Sequence, residues 1–108
     1  MLPRIVYTTL PSREAAEEMA RALVEARLVA CANILPGMVS IYRWDGAIER
    51  ADEVVMILKT TAARASDVVE AVRARHPYQV PAIVVLPVEG GLAAYLGWIG
   101  AEVADTPA

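Results

Sequence analysis

The side chains able to do chemistry in this chain are mostly single: His76 is the only histidine, Cys31 the only cysteine and Lys59 the only lysine. A lone histidine can hold a transition metal or move protons near neutral pH. Just before Pro77 it also suits the end of a helix, where the dipole favours it. Cys31 sits between Ala30 and Ala32 in a β-rich run, where a thiol is a small hydrophobe. It shares a strand face with Asn33, so Cys31, Asn33 and His76 name the parts of a thiol nucleophile. No helix start or glycine-rich turn adjoins Cys31 to activate it. Metal spacing of the CxxC or HxxxH kind is missing, so a metal site calls for donors from several segments, with Glu89 as a carboxylate candidate. Cu(II) suits such a mixed nitrogen, sulfur and oxygen set, and another divalent cation is the alternative. Tyr42, Trp44, Tyr78, Tyr95 and Trp98 serve packing or line a small-molecule cleft. Lys59, at the end of an apolar strand, snorkels to water, pairs with an acid or meets an anionic ligand. A phosphate-cradling loop, a serine triad and paired catalytic carboxylates are all missing, so the chain reads as no enzyme.

These residues lie on elements that alternate in period. Ile5 to Thr9 reads as a strand, and Ser12 caps a helix with Glu14 in its first turn. Ala16, Met19, Ala20, Leu23 and Ala26 form the apolar stripe of that helix. Ala30 to Trp44 then reads almost continuously as β, broken at Pro36-Gly37, and turns at Asp45-Gly46, a preferred hairpin dipeptide. Glu53 to Thr60 returns as a third strand. Thr61 is the expected cap of a second helix with the stripe Ala65, Val68, Val69 and Val72, ended by His76-Pro77. Ala82 to Leu86 is a fourth strand, and Leu92, Tyr95, Leu96, Ile99 and Val103 stripe a last helix, with Asp105 to Ala108 as a frayed tail. This order predicts an α+β, ferredoxin-like βαββαβ sandwich with a C-terminal helix.

Two features predict more than one copy. A run of roughly 12–15 extended residues spans on the order of 40–50 Å, whereas a domain of this size has a radius of gyration near ~13 Å. The overhanging hairpin needs something to pair with, and another copy of the chain supplies it. The third strand is also apolar on both faces, Val54, Met56 and Leu58 on one and Val55 and Ile57 on the other, as is Ile83-Val84-Val85-Leu86. Strands of that kind are covered on both sides.

Composition limits the rest. The 108 residues make a single domain, 1–108, and 56% of them are hydrophobic. The mean hydropathy of +0.41 is high for a soluble chain this small. The longest apolar stretch, Ala82 to Val88, is far too short to span a bilayer, so no membrane partner is expected. Met1 leads into Arg4-Ile5-Val6-Tyr7 without a signal region, and Cys31 has no partner for an intrachain disulfide; both point to the cytoplasm. A net charge of −3 and scattered basic residues argue against nucleic acid as a partner.

Several ordered motifs carry a family resemblance. Ala30-Cys31-Ala32-Asn33-Ile34-Leu35-Pro36-Gly37 resembles the ACxNxxPG signature of the CutA family of divalent-cation tolerance proteins. Ser40-Ile41-Tyr42-Arg43-Trp44-Asp45-Gly46 is similar to its SxYxWxG continuation. Ile57-Leu58-Lys59-Thr60, His76-Pro77-Tyr78 with Pro81, Leu86-Pro87-Val88 and Tyr95-Leu96-Gly97-Trp98 follow its later blocks in order. The resemblance implies a ferredoxin-like chain in a homotrimer like that of the PII signalling proteins, with long hairpins adding strands to neighbouring sheets. It implies a role in copper tolerance and weak divalent-cation binding, with His76 and Cys31 as retained donors, to which the residue reading above adds Glu89 as the carboxylate candidate. The alternative is a PII-like sensor taking a small metabolite in inter-subunit clefts lined by Tyr42, Trp44, Lys59, Tyr78 and Trp98. The chain departs from members credited with copper binding: Thr8 stands at a cysteine position and Arg75 at a second histidine. Gln79 and Ala82 stand where many members carry glutamate.

Overall fold

The computed structural model describes residues 2–104, so the tail expected at Asp105 to Ala108 lies outside the described residues. The elements run β1 (Pro3–Leu10), α1 (Arg13–Glu25), β2 (Cys31–Trp44), β3 (Ala47–Thr61), α2 (Ala65–Arg75), β4 (Ile83–Pro87) and α3 (Ala93–Glu102). The strands form one four-stranded antiparallel sheet in the order β2-β3-β1-β4, as the ferredoxin-like reading requires.

Alternation along β3 sorts the two faces of the sheet. Val54, Met56 and Leu58 meet Leu10, Thr8 and Val6 of β1 on one face. There they pack with Ala16, Met19, Ala20 and Leu23 of α1 and Val68 and Val72 of α2. Leu58, Met56, Val6 and Leu10 are fully buried, each side chain contributing on the order of 1.5–3 kcal/mol by leaving water. The Ser12 hydroxyl accepts a hydrogen bond from the Ala15 amide at 3.1 Å and so caps α1.

The opposite face carries Glu53, Val55, Ile57 and Lys59. α3 covers one end of it, where Ile99 and Val103 bury against Ala30. Arg27 fixes that docking from a left-handed conformation (φ 59°) beyond α1. Its guanidinium donates to the Ala101 and Glu102 carbonyls at 2.9 and 3.1 Å, and its own carbonyl accepts from the Ala104 amide at 2.9 Å. A cation there also suits the negative end of the α3 dipole. The rest of the face stays open within one chain: Val84 and Leu86 on β4 are 47% and 45% exposed.

The hairpin is longer than the sequence pattern indicated, because β3 begins at Ala47 rather than Glu53. Its polar first turns (Glu49, Arg50, Asp52) hide a strand whose pairing is set across from β2. Asp45 and Gly46 both take positive φ, 52° and 79°, the backbone of a tight two-residue turn. At Pro36-Gly37 the register slips between Leu35 and Met38, with Gly37 at φ 85°, yet Leu35 and Met38 both face the open side. The projecting ribbon stretches the molecule to 44 × 28 × 22 Å and its radius of gyration to 14.4 Å.

Thr61 is not the cap of α2. It closes the β3 ladder opposite Pro3, and its carbonyl accepts from the Arg64 amide at 3.1 Å in the turn that follows. Arg64 takes the cap position, buried, with its guanidinium 2.8 Å from Asp67. Among the described residues no helix is long and apolar enough to cross a membrane.

Candidate functional site

A groove of about 800 Å³ lies on the open face of the sheet. Tyr7 and Thr9 of β1 and Glu53 of β3 lie at its base, Ser40, Tyr42 and Trp44 come from the hairpin, and Tyr78 to Ala82 wall it beyond α2. Alternation places Ser40, Tyr42 and Trp44 on one face of β2, opposite Ala51, Glu49 and Ala47.

His76 sets the wall. Pro77 turns the backbone of His76 out of the helix to φ −76°, ψ 136°. The ring then lies buried, with Nε2 2.6 Å from the Thr9 carbonyl and Nδ1 accepting from the Tyr78 amide at 3.2 Å. A carbonyl only accepts and an amide only donates, so this network assigns the proton to Nε2. Both ring nitrogens are therefore engaged. The His76 and Tyr78 rings sit 4.8 Å apart, which aims the Tyr78 phenol across the groove.

That phenol donates to Glu53 Oε2 at 3.1 Å. Burial, and then the hydrogen bond and negative charge of Glu53, push the Tyr78 phenol up to about 12. Glu53 is only 9% exposed, and among the described residues no Lys or Arg is ion-paired with it. Among the groove residues that the sequence pattern did not single out, Glu53 is the one that carries charge. The signal was present, since Glu53 falls on the same strand face as Val55 and Ile57 and so points inward onto the sheet.

The three metal donors named from sequence stand apart within one chain. β3 serves as a ruler: His76 binds Thr9, which pairs with Val55, whereas Cys31 pairs with Lys59. Four residues of strand separate those positions by roughly 13 Å. Glu89 follows the end of β4, where Pro87 pairs with Arg4, on the Lys59 side of the sheet and beyond β1. Among the described residues no three His, Cys, Asp or Glu side chains gather as metal ligands. Thr8 faces the helices, its buried hydroxyl without a partner.

The five cleft residues divide into two groups. Tyr42, Trp44 and Tyr78 line the groove. Lys59 instead donates to Tyr95 Oη at 2.9 Å, and Tyr95 stacks on Trp98 with ring centroids 5.6 Å apart. The Tyr95 hydrogen bond raises the Lys59 pKa against a smaller loss from burial. Cys31, half-buried, lies across the ladder from Lys59 with Sγ 3.9 Å from Asn33 Oδ1.

Residues 4–102 match the model of the CutA1 divalent ion tolerance protein family. The divalent-cation tolerance protein CutA of Thermus thermophilus is 46% identical over 98 residues, which cover 91% of this chain and 95% of that protein. The crystal structure of CutA1 from Oryza sativa superposes with a TM-score of 0.94 at 34% identity, covering 98% of this chain and 97% of that one. The structure of the periplasmic divalent cation tolerance protein CutA from Archaeoglobus fulgidus gives 0.92 at 41% identity, covering 95% and 100%. The ordered motifs, the sheet order and these matches agree: the chain is a member of the CutA1 divalent ion tolerance family.

Proposed function

We propose that this protein is a non-enzymatic homotrimer that serves divalent-cation tolerance, binding Cu(II) or another divalent cation weakly. Family membership over residues 4–102 is the observation that carries the role. The trimer reading is supported by what one chain leaves uncovered. β2 is an edge strand, and Ile41, Ile48 and Trp44 on its hairpin are 72%, 62% and 50% exposed. A long apolar edge of this kind pairs or aggregates.

Because Cys31, Glu89 and His76 stand apart in one chain, a shared site has to be assembled between subunits. Cys31 supplies a half-buried sulfur and Glu89 an exposed carboxylate. His76 joins only by giving up a hydrogen bond to Tyr78 or Thr9, a cost that keeps such a site weak. The test is copper titration of wild type, Cys31→Ser and Glu89→Gln by calorimetry. Weakened binding in both variants supports the site. Unchanged affinity in both refutes these donors.

A second reading is a sensor taking a small metabolite in a cleft, supported by the groove holding Tyr42, Trp44 and Tyr78. A thermal-shift screen of nucleotides, organic acids and amines tests it through saturable stabilisation. A blank across all three classes refutes it.

A further inference from the structure

At the α3 end of the sheet face, hydrogen-bond donors gather without an acceptor. Lys59, the only lysine of the chain, is half-buried on β3, and no ion pair among the described residues includes it. Its neighbour across the ladder is Cys31 rather than an acid, and the first turn of α3, where Tyr95 lies, holds no acidic residue. The ammonium donates one N–H to Tyr95 Oη at 2.9 Å and lies 5.2 Å from the centroid of that ring. That bond uses the phenol oxygen as acceptor, so the phenol O–H faces onward as a donor. Two N–H groups of Lys59 and the O–H of Tyr95 thus stand together with no protein acceptor among the described residues. A partly buried cation calls for an opposite charge. Trp98 stacks on Tyr95 with centroids 5.6 Å apart, and both rings are exposed beside the donors.

We propose that Lys59 and Tyr95 form a carboxylate site, with the Tyr95 and Trp98 rings taking the flat or apolar remainder of an organic acid. Ammonium and phenol offer two donors side by side, matching the two oxygens of a carboxylate, and charge-assisted bonds of this kind are the strong ones. One cation balances one carboxylate. A phosphate dianion is left under-compensated, because Arg27 is engaged at the other end of α3 with the Ala101 and Glu102 carbonyls. A cationic ligand meets Lys59 at close range and is disfavoured. The site is separate from the groove beside the hairpin: six residues of β3 divide Lys59 from Glu53, roughly 20 Å of strand. The chemistry is the same whether the carboxylate arrives on a small organic acid or on a side chain of the neighbouring copy that covers the open face. In its diffusible form the assignment rests on the metabolite reading above and names its ligand class.

Because Lys59 is the only lysine, isotope labelling of lysine at Cε gives the assembled, chelator-treated protein a single NMR signal at this site. That signal is followed on titration with benzoate and with its neutral isostere benzamide at constant ionic strength. The expected result is a saturable shift with benzoate, and benzamide about tenfold weaker or more. Tyr95→Phe keeps the ring and its stack, leaves the Lys59 signal in place and weakens benzoate roughly threefold to tenfold. No response to benzoate, together with a Lys59 signal that titrates between about pH 3 and pH 6 without added ligand, keeps the carboxylate and assigns it to a side chain of the assembled protein. Equal affinity for the two probes overturns the proposal, since the rings alone then bind. Silence toward both probes with no such titration overturns it as well. A neutral or cationic stabiliser in the thermal-shift screen then leaves the metabolite reading standing, whereas a blank screen refutes both.

Discussion

Replacing His76 with alanine separates a structural role from a purely metal-binding one, because its effect is expected in the complete absence of metal. The ring accounts for two hydrogen bonds, from Nε2–H to the Thr9 carbonyl at 2.6 Å and from the Tyr78 amide to Nδ1 at 3.2 Å. Alanine leaves both backbone groups without that partner. A buried group stripped of its partner costs about 1–3 kcal/mol. Tyr78 lies near solvent and can recruit water, so the Thr9 side dominates. Lost ring packing adds to this, and the sum is roughly 3 kcal/mol, a large share of a total stability of about 5–15 kcal/mol. The assay is urea unfolding of chelator-treated protein, wild type against variant, at one protein concentration because assembly shifts apparent stability. Hydrogen exchange adds a local readout: the Tyr78 amide loses protection before the α1 amides do. A loss below about 0.5 kcal/mol with an unchanged Tyr78 amide refutes the structural role of the two His76 hydrogen bonds and returns both ring nitrogens to metal chemistry.

Two further outcomes follow from the geometry. The raised Tyr78 phenol favours the neutral ring in the folded state, so its contribution is complete below the ordinary tyrosine range near ~10 and fades as pH climbs through about 12. Ultraviolet titration of the folded protein therefore shows a late-ionising tyrosine that Tyr78→Phe removes; a variant that still shows it contradicts the Glu53 contact. Arg27→Ala strips the guanidinium from the Ala101 and Glu102 carbonyls, in a contact exposed enough that about 1 kcal/mol is the expected cost. Hydrogen exchange then quickens in α3 while the α1 and α2 core holds, and uniform quickening contradicts the docking role.

Much of the fold was legible because local and global signals agree. Ser12, the Asp45-Gly46 turn and the His76-Pro77 stop each impose a backbone choice on their immediate neighbours, and the structure keeps all three. Thr61 misled because a good capping residue sits where β3 is still paired to Pro3, and ladder bonds outrank a local cap. The start of β3 is hidden for a related reason, since Glu49, Arg50 and Asp52 break the apolar run there and its strand state comes from pairing with β2.

The site was less legible because it is made of long-range contacts. Nothing near His76 announces that its ring reaches Thr9, 67 residues away in sequence. The PII-like reading groups Lys59 and Trp98 with Tyr42, Trp44 and Tyr78 in one cleft. The strand register instead sends Lys59 toward Tyr95 and leaves Glu53 as the charge inside the groove.

The central claim, a trimer that takes up divalent cations, is tested most directly by native mass spectrometry of tag-free protein with and without a slight excess of Cu(II). The account predicts a trimer that gains copper to a plateau in multiples of three. A stable monomer, or a trimer that stays bare or adds metal without a plateau, contradicts it.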